Sequence, residues 1–336
     1  MGGVPSAGLG YHRGMADNML RMRRADVRAT RPIMLAVGGD SGSGKTTLTR
    51  GLVDALGPQL CLSVCLDDYH RYDRASRAGL PFTVSHPDGN YLDIAEQHLQ
   101  MLATGQPVLK PVYDHRSGTF SAMEYLQPRP FVIVEGLFPL FSQLSRACFD
   151  VKVMLDPPEE LRRAWKIARD TSERGYTVEQ VLADLAAREA DSAEFIRPQR
   201  RHADIVVRVT QDGGLDGALS AEVLLRGTAP HPPLANILID DASSAMPLTI
   251  IRDSDGTPVD YLRVRGDAEP AELTRVQRTI WANIDRPASA LGSTDPATAS
   301  TLPPGLGNLG SGRYSQTLAT VQLLLLYHLS PKAGLR

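Results

Sequence analysis

Residues 33–46 read IMLAVGGDSGSGKT, an apolar run that breaks into glycines and ends on a lysine and a threonine. The apolar part, IMLAVG (33–38), has the length and composition of a buried strand. Gly39–Thr46 then fits G-x-x-x-x-G-K-[ST], and Leu48, Leu52 and Leu56 follow at helical spacing. Glycines in such a loop let the backbone curl until its N–H groups converge, and the next helix adds its positive end. Gly39, Asp40, Ser41, Gly42, Ser43 and Gly44, with Thr47 behind them, are therefore expected to cradle ATP. Lys45 is expected to reach the β- and γ-phosphates, and the Thr46 hydroxyl to touch Mg²⁺.

Working outward, LSVCL (62–66), FVIVEG (131–136), VKVML (151–155) and DIVVRV (204–209) read as further buried strands. Helical patterns separate them: Ile94, Leu99, Leu102; Leu161, Ala164, Trp165, Ala168; and Val178, Val181, Leu182, Leu185. This alternation predicts an α/β domain of the P-loop NTPase fold, a largely parallel sheet with helices on both faces. Ligands of such sheets bind beyond the carboxyl ends of the strands. After residue 212 the pattern changes. Residues 247–266 predict a hairpin, 271–284 a helix, 286–312 a long loop and 315–329 an apolar helix. The expected organisation is a disordered extension (1–30), a kinase-sized P-loop domain (31–212) and a C-terminal β-rich and helical extension packed on it (213–336).

Hydrophobic content of 42%, charged content of 22% and a net charge of -2 are those of a soluble globular protein. They give no general attraction to nucleic acid or to a membrane surface. No run approaches the roughly 18 apolar residues of a membrane-spanning helix. Cys61, Cys65 and Cys148 do not suggest a disulfide scaffold or a four-ligand zinc site. Reduced thiols in a cytoplasmic protein are the simpler expectation.

Three further segments carry chemistry. Glu135 ends FVIVEG, where a strand-end carboxylate can hold Mg²⁺ or its water. CLDDYHRYDR (65–74) collects two carboxylates, a histidine and arginines after a strand, as an acceptor pocket and its base would need. In WKIARDTSERGYT (165–177), Lys166, Asp170 and Arg174 fall on one helix face with Arg169 beside them, and Gly175 can end the helix. A cationic helix of this kind fits a lid over phosphates, although an ion-paired solvated face has the same pattern. The guanine-reading N-K-x-D of GTPases is absent. A small-molecule kinase is the expectation, and a nucleotide-binding regulator without catalysis the alternative from another class.

These residues bear a resemblance. GDSGSGKTT, CLDDYHRYDR, KPVYDHRSG, VIVEGLFPLF, AWKIARDTSERGYT and FIRPQRRHADIVVRV occur in that order between about residues 32 and 210. The chain resembles phosphoribulokinase, especially the longer form of oxygenic phototrophs. The resemblance implies transfer of the ATP γ-phosphoryl to the 1-hydroxyl of ribulose 5-phosphate, in a carbon-fixation pathway (the Calvin cycle). It implies Asp67 rather than Asp68 as general base, and His70 and Arg74 on the sugar phosphate. Tyr113 and His115 would line the acceptor pocket. Glu135 and Asp170 would serve the metal, while Lys45, Lys166, Arg169 and Arg174 would neutralise the phosphates. A homodimer is also implied. Uridine kinases share the phosphate loop, PVYD and RD-x-x-ERG, so a uridine kinase-like nucleoside kinase is the alternative.

The chain departs from that family in places. Ser43 stands where many members have the phosphate-loop cysteine of a regulatory disulfide, and no cysteine follows Cys148. Thioredoxin control and redox-dependent assembly with glyceraldehyde-phosphate dehydrogenase are therefore not expected. Phe138 stands where a histidine is common, READS (188–192) replaces an RKPDF-like segment, and HPDGNYLD (86–93) leans toward uridine kinases.

Overall fold

The structure is a computed structural model, and it describes residues 31–212, 217–228, 232, 234, 244–284, 302–310 and 312–330. The extension expected at 1–30 lies outside the described residues. The first half holds β1 (Ile33–Gly39), α1 (Lys45–Leu56), β2 (Cys61–Cys65), α2 (Leu92–Ala103) and the short strands β3 (Val108–Lys110), β4 (Tyr113–Asp114), β5 (Thr119–Phe120) and β6 (Glu124–Leu126). Next come β7 (Phe131–Gly136), α3 (Gln143–Ala147), β8 (Val151–Leu155), α4 (Glu159–Glu173), α5 (Val178–Asp191) and β9 (Ile205–Asp212). The chain continues through β10 (Ala218–Leu225), β11 (Leu248–Arg252), β12 (Pro258–Val264), α6 (Pro270–Asn283), β13 (Asn308–Gly310), β14 (Arg313–Tyr314) and α7 (Gln316–His328).

Eight strands form one sheet in the order β11-β12-β10-β9-β8-β1-β7-β2. From β9 to β2 the pairing is parallel, and β10, β12 and β11 join it antiparallel. Successive residues of the central strands serve opposite faces. Leu35, Val37 and Ile133 join one core with α1, α6 and α7, while Met34, Ala36, Val132 and Val134 join another with α2. Burial on both faces explains why these strands read as unbroken apolar runs. β1 lies between β7 and β8 although β2 follows it in the chain. The strand order therefore switches beside β1, and the loops after β1 and β7 open onto one crevice.

The last third builds onto the same sheet, and Pro32–Arg336 make one compact unit. The expected hairpin is β11–β12. Part of the segment expected as a plain loop forms a small hairpin instead, β13 with β14, while 285–301 lie outside the described residues. α7 is buried all round, from Leu323 to Leu326, because it runs between the sheet, α1 and α6.

One contact keys α7 to the phosphate-loop helix. The buried Gln322 amide donates to Leu48 O (3.0 Å) and accepts from Gly307 N (2.7 Å). It sits where a Cβ on Gly51 would fall, 2.1 Å from Gln322 Nε2. Gly51→Ala would gain about 1 kcal/mol of helix propensity. Displacing the amide would strand buried polar groups at about 1–3 kcal/mol. A net loss of about 1–2 kcal/mol is expected, and a urea midpoint at or above that of the wild type would contradict it.

Candidate active site

The phosphate loop takes its shape from two left-handed glycines, Gly42 (φ 84°) and Gly44 (φ 92°). Gly42 must also be bare, because a Cβ there would lie 2.8 Å from Lys166 Cβ on α4. Lys45 Nζ closes the loop by donating to Gly39 O (2.8 Å) and Asp40 O (2.9 Å). Thr46 Oγ1 donates to Glu135 Oε2 (3.2 Å), so the first turn of α1 meets the end of β7. Burial raises the Glu135 carboxyl, against the pull of Lys45.

A cleft of about 260 Å³ opens here. Of the sequence-predicted residues, it gathers Ser41, Gly42, Lys45, Thr46, Asp67, His70, Arg74, Tyr113, His115, Glu135, Arg169 and Arg174 on its walls. Asp67 and Asp68 follow β2 in a short 3₁₀ turn, Leu66–Tyr69, which points the two carboxylates to different partners. Asp68 accepts from Tyr113 N (2.8 Å) and pairs with the buried Lys110, so it fastens the strand β4. Asp67 faces the cleft with its side chain 27% exposed, 3.8 Å from His115 Nε2. Burial raises its carboxyl, but His70 and His115 when charged, and then Lys45 and Arg174, outweigh this and hold it below the ordinary value. Burial lowers both imidazoles, His115 to about 4, so they are neutral near neutral pH and Lys45 and Arg174 remain the cationic partners. His70 is fixed by Asn90 Oδ1 (2.8 Å) and by the edge of Tyr113. Arg74 donates to His115 O (2.6 Å) and lies over the Tyr176 ring at 5.2 Å.

Two expectations differ from the geometry. Asp170 was expected on the metal side beside Glu135, and Lys166 on the phosphates. Both are buried and turned to each other, 2.6 Å apart, and Lys166 also meets Asp184 (3.0 Å) on α5. Asp170 further accepts from Arg169 (2.8 Å), with Arg174 at 3.5 Å. Against burial, these cations bring its carboxyl to about 2. Asp170 thus fixes the two arginines that reach the cleft, and Lys166 ties α4 to α5 behind the phosphate loop. Asp40 likewise serves the loop: its side chain accepts from Ser41 N (2.7 Å) and from Ser192. The Ser43 hydroxyl is buried within the loop and has no hydrogen-bond partner among the described residues, and Thr47 lies outside the cleft walls with its carbonyl toward Gln322 (3.4 Å).

Sequence reasoning missed Arg77, Tyr176 and Arg188, which also line the cleft, and Arg162, which braces the phosphate loop by donating to Ser41 O (2.6 Å). Arg77 was legible as the third arginine after LDDYH, behind Arg71 and Arg74. Arg162 carried no local signal, and Arg188 only that of its place at the head of READS. Cys65 lines the cleft, and burial with Asp67 and Glu135 nearby pushes its thiol far up; Cys61 is pushed up to about 12. Cys61, Cys65 and Cys148 are all free thiols. For Mg²⁺, the fit is good: Thr46 and Glu135 offer oxygen ligands at the mouth of a phosphate loop, and this ion is typically held by one or two carboxylates plus phosphates.

The sequence model of the Phosphoribulokinase / Uridine kinase family matches residues 34–215, which hold the phosphate loop, Asp67 and the α4 helix together. The chain belongs to this family.

Within the family it is 40% identical to the phosphoribulokinase of Synechocystis sp. over 179 residues, 53% of this chain and 54% of that one. It is 34% identical to the chloroplastic phosphoribulokinase of Arabidopsis thaliana over 198 residues, 54% of this chain and 50% of that one. The uridine kinase of Lactiplantibacillus plantarum is 33% identical over 181 residues, 53% of this chain and 87% of that one. The chain thus spans about half the length of the phosphoribulokinases it matches. Among solved structures, phosphoribulokinase from Rhodobacter spheroides aligns with a TM-score of 0.54 over 73% of this chain and 94% of that one, at 18% identity. The two share the α/β P-loop kinase fold.

Proposed function

We propose that this protein is a Mg²⁺- and ATP-dependent phosphoribulokinase, phosphorylating the 1-hydroxyl of ribulose 5-phosphate to ribulose 1,5-bisphosphate in the carbon-fixation cycle. The observation that carries the acceptor choice is the charge of the cleft. Its walls bear Lys45, Arg74, Arg77, Arg169, Arg174 and Arg188 against the carboxylates of Asp67 and Glu135. Arg169 and Arg174 have Asp170, and Arg188 has Asp184. Arg74 and Arg77 form no ion pair among the described residues; their guanidinium groups donate to the carbonyls of His115 and Tyr72. Of the two, Arg77 has a carboxylate within electrostatic reach, that of Asp73, and arginines free of a close ion pair at the acceptor end suit a phosphorylated sugar better than a neutral nucleoside.

In this reading the phosphate loop binds ATP, and Asp67 takes the proton of the acceptor 1-hydroxyl. That oxygen bonds to the γ-phosphorus as the bond to the β–γ bridging oxygen breaks, leaving ADP. Lys45, Arg169 and Arg174 counter the charge on the moving group. Mg²⁺, held by Thr46 and Glu135, would neutralise charge on the β- and γ-oxygens. His70 and Arg74, with Tyr113 and His115, form the acceptor wall.

The test is ADP release with ribulose 5-phosphate against uridine. Ribulose 5-phosphate is expected to be turned over and uridine not, equally under reducing and oxidising conditions, because thiols held far above their ordinary values are poor nucleophiles. His70→Ala and Arg74→Ala are expected to raise the acceptor KM much more than the ATP KM. Turnover of uridine alone would overturn this reading in favour of the nucleoside kinase.

The homodimer is proposed through the outer edge of the sheet. Among the described residues β11 is an edge strand, its Ile250 is 76% exposed, and a second copy paired along it would cover both the apolar side chain and the strand's outer backbone. Light scattering should give twice the chain mass, and a single chain mass would remove the proposal.

A further inference from the structure

The READS segment supplies contacts that the phosphoryl transfer does not use directly. It closes α5, and its last two residues point to opposite sides of the cleft. Asp191 Oδ2 accepts from Thr83 N (2.9 Å) and Thr83 Oγ1 (2.7 Å). Thr83 Oγ1 in turn accepts from Ser85 N (3.1 Å). This segment is anchored at its far end by Asn90, whose Nδ2 donates to Val84 O (3.0 Å) and His86 O (2.9 Å). The other end of that amide, Oδ1, holds His70 Nδ1 at 2.8 Å. Asp191 is thus joined through Thr83, the 83–86 backbone and Asn90 to the acceptor wall. Ser192 is buried and its hydroxyl donates to Asp40 Oδ2, while Asp40 Oδ1 accepts from Ser41 N (2.7 Å) in the phosphate loop. One turn earlier Arg188 reaches the cleft itself.

The helix is shaped for this. A single π-turn, Ser192–Ile196, follows α5, and Pro198 comes two residues later in the next 3₁₀ turn. Proline lacks an N–H and crowds the carbonyl four residues before it, and a widened turn accommodates both. The ends of the two substrate loops therefore meet at adjacent residues of one helix terminus.

We propose that Asp191 and Ser192 are a pair of positioning residues, Asp191 setting the acceptor wall through Thr83 and Ser192 setting the phosphate loop through Asp40. The pair fixes the distance over which the phosphoryl group moves. The assignment of the acceptor wall rests on the function proposed above; the Ser192 half rests only on the phosphate loop.

The experiment uses the full chain and two titrations. Mg·ADP binding is measured by calorimetry, and the acceptor KM at saturating ATP with whichever acceptor the wild type turns over. Loss of the hydrogen bonding that each side chain supplies, one buried bond from Ser192 and two part-buried ones at Asp191, is expected to weaken the constant it supports by about 5–10-fold. Ser192→Ala should weaken Mg·ADP by that factor and leave the acceptor KM unchanged, and Ser192→Thr should restore affinity. Asp191→Ala should raise the acceptor KM by the same factor and leave Mg·ADP binding unchanged. Equal shifts of both constants in both variants, or no shift in either, would overturn the proposal, since a merely structural role would not separate the substrates. If the wild type turns over neither ribulose 5-phosphate nor uridine, the functional reading fails, and Mg·ADP binding by Ser192→Ala still decides this one.

Discussion

Asp67→Asn is expected to lower kcat by about 10²–10⁴-fold, the usual share of a positioned general base, with Mg·ATP binding unchanged. The amide keeps the size of the side chain and an acceptor oxygen, so the 3₁₀ turn after β2 and the approach of His115 at 3.8 Å should survive. What it removes is a carboxylate that can take a proton. Burial opposes ionisation, but His70 and His115 when charged, and then Lys45 and Arg174, hold that carboxyl below its ordinary 3.8, so it stays ionised through the neutral and weakly acidic range. Wild-type kcat/KM should therefore not fall through protonation of Asp67 until the pH is below 3.8. Asp68→Asn is the control. It breaks the pair with Lys110, so it should lower the urea midpoint and leave a folded enzyme with most of its turnover. The reverse pattern, an active Asp67→Asn and an inactive but folded Asp68→Asn, would transfer the base to Asp68.

Lys45→Ala should cost about 10²–10³-fold in kcat, as expected for removing a cation aimed at developing charge in a water-poor site. Mg·ATP binding should weaken as well, because the ammonium also closes the phosphate loop through Gly39 O and Asp40 O. Burial lowers the Lys45 ammonium, but Asp67, Glu135 and Asp40 oppose this and favour the charged form. Lys45→Arg should not rescue the loss, since a planar guanidinium cannot replace a compact ammonium between two carbonyls and a phosphate. Steady-state kinetics with ATP titrations would read both effects. Turnover within tenfold of wild type would mean that Lys45 only shapes the loop.

The nearness of Lys45, Thr46 and Glu135 was legible in the sequence, and the reason is local. The glycines, the strand before them and the helix after them fix the loop through chain neighbours alone. A carboxylate at the end of a second parallel strand must then open onto the same crevice. CLDDYH was legible as chemistry for the same reason, since it follows a strand of the same sheet.

The sequence by itself therefore determined the α/β fold, the phosphate loop and the choice of acid-and-imidazole segment. Tertiary structure decided which of those charges face the cleft. Asp68 was assigned to Lys110 across 42 positions of chain, and Lys166 and Asp170 were turned inward by Asp184 of a neighbouring helix. Arg188 was brought to the site from α5, and Asp40 was joined to Ser192 across 152 positions. Such choices depend on which buried charge finds a partner, because an unpaired one is costly in a low-dielectric interior. Local spacing encodes the pairs four residues apart, Lys166 with Asp170 and Arg188 with Asp184, but the partners distant in the chain are set by how the elements pack over the sheet.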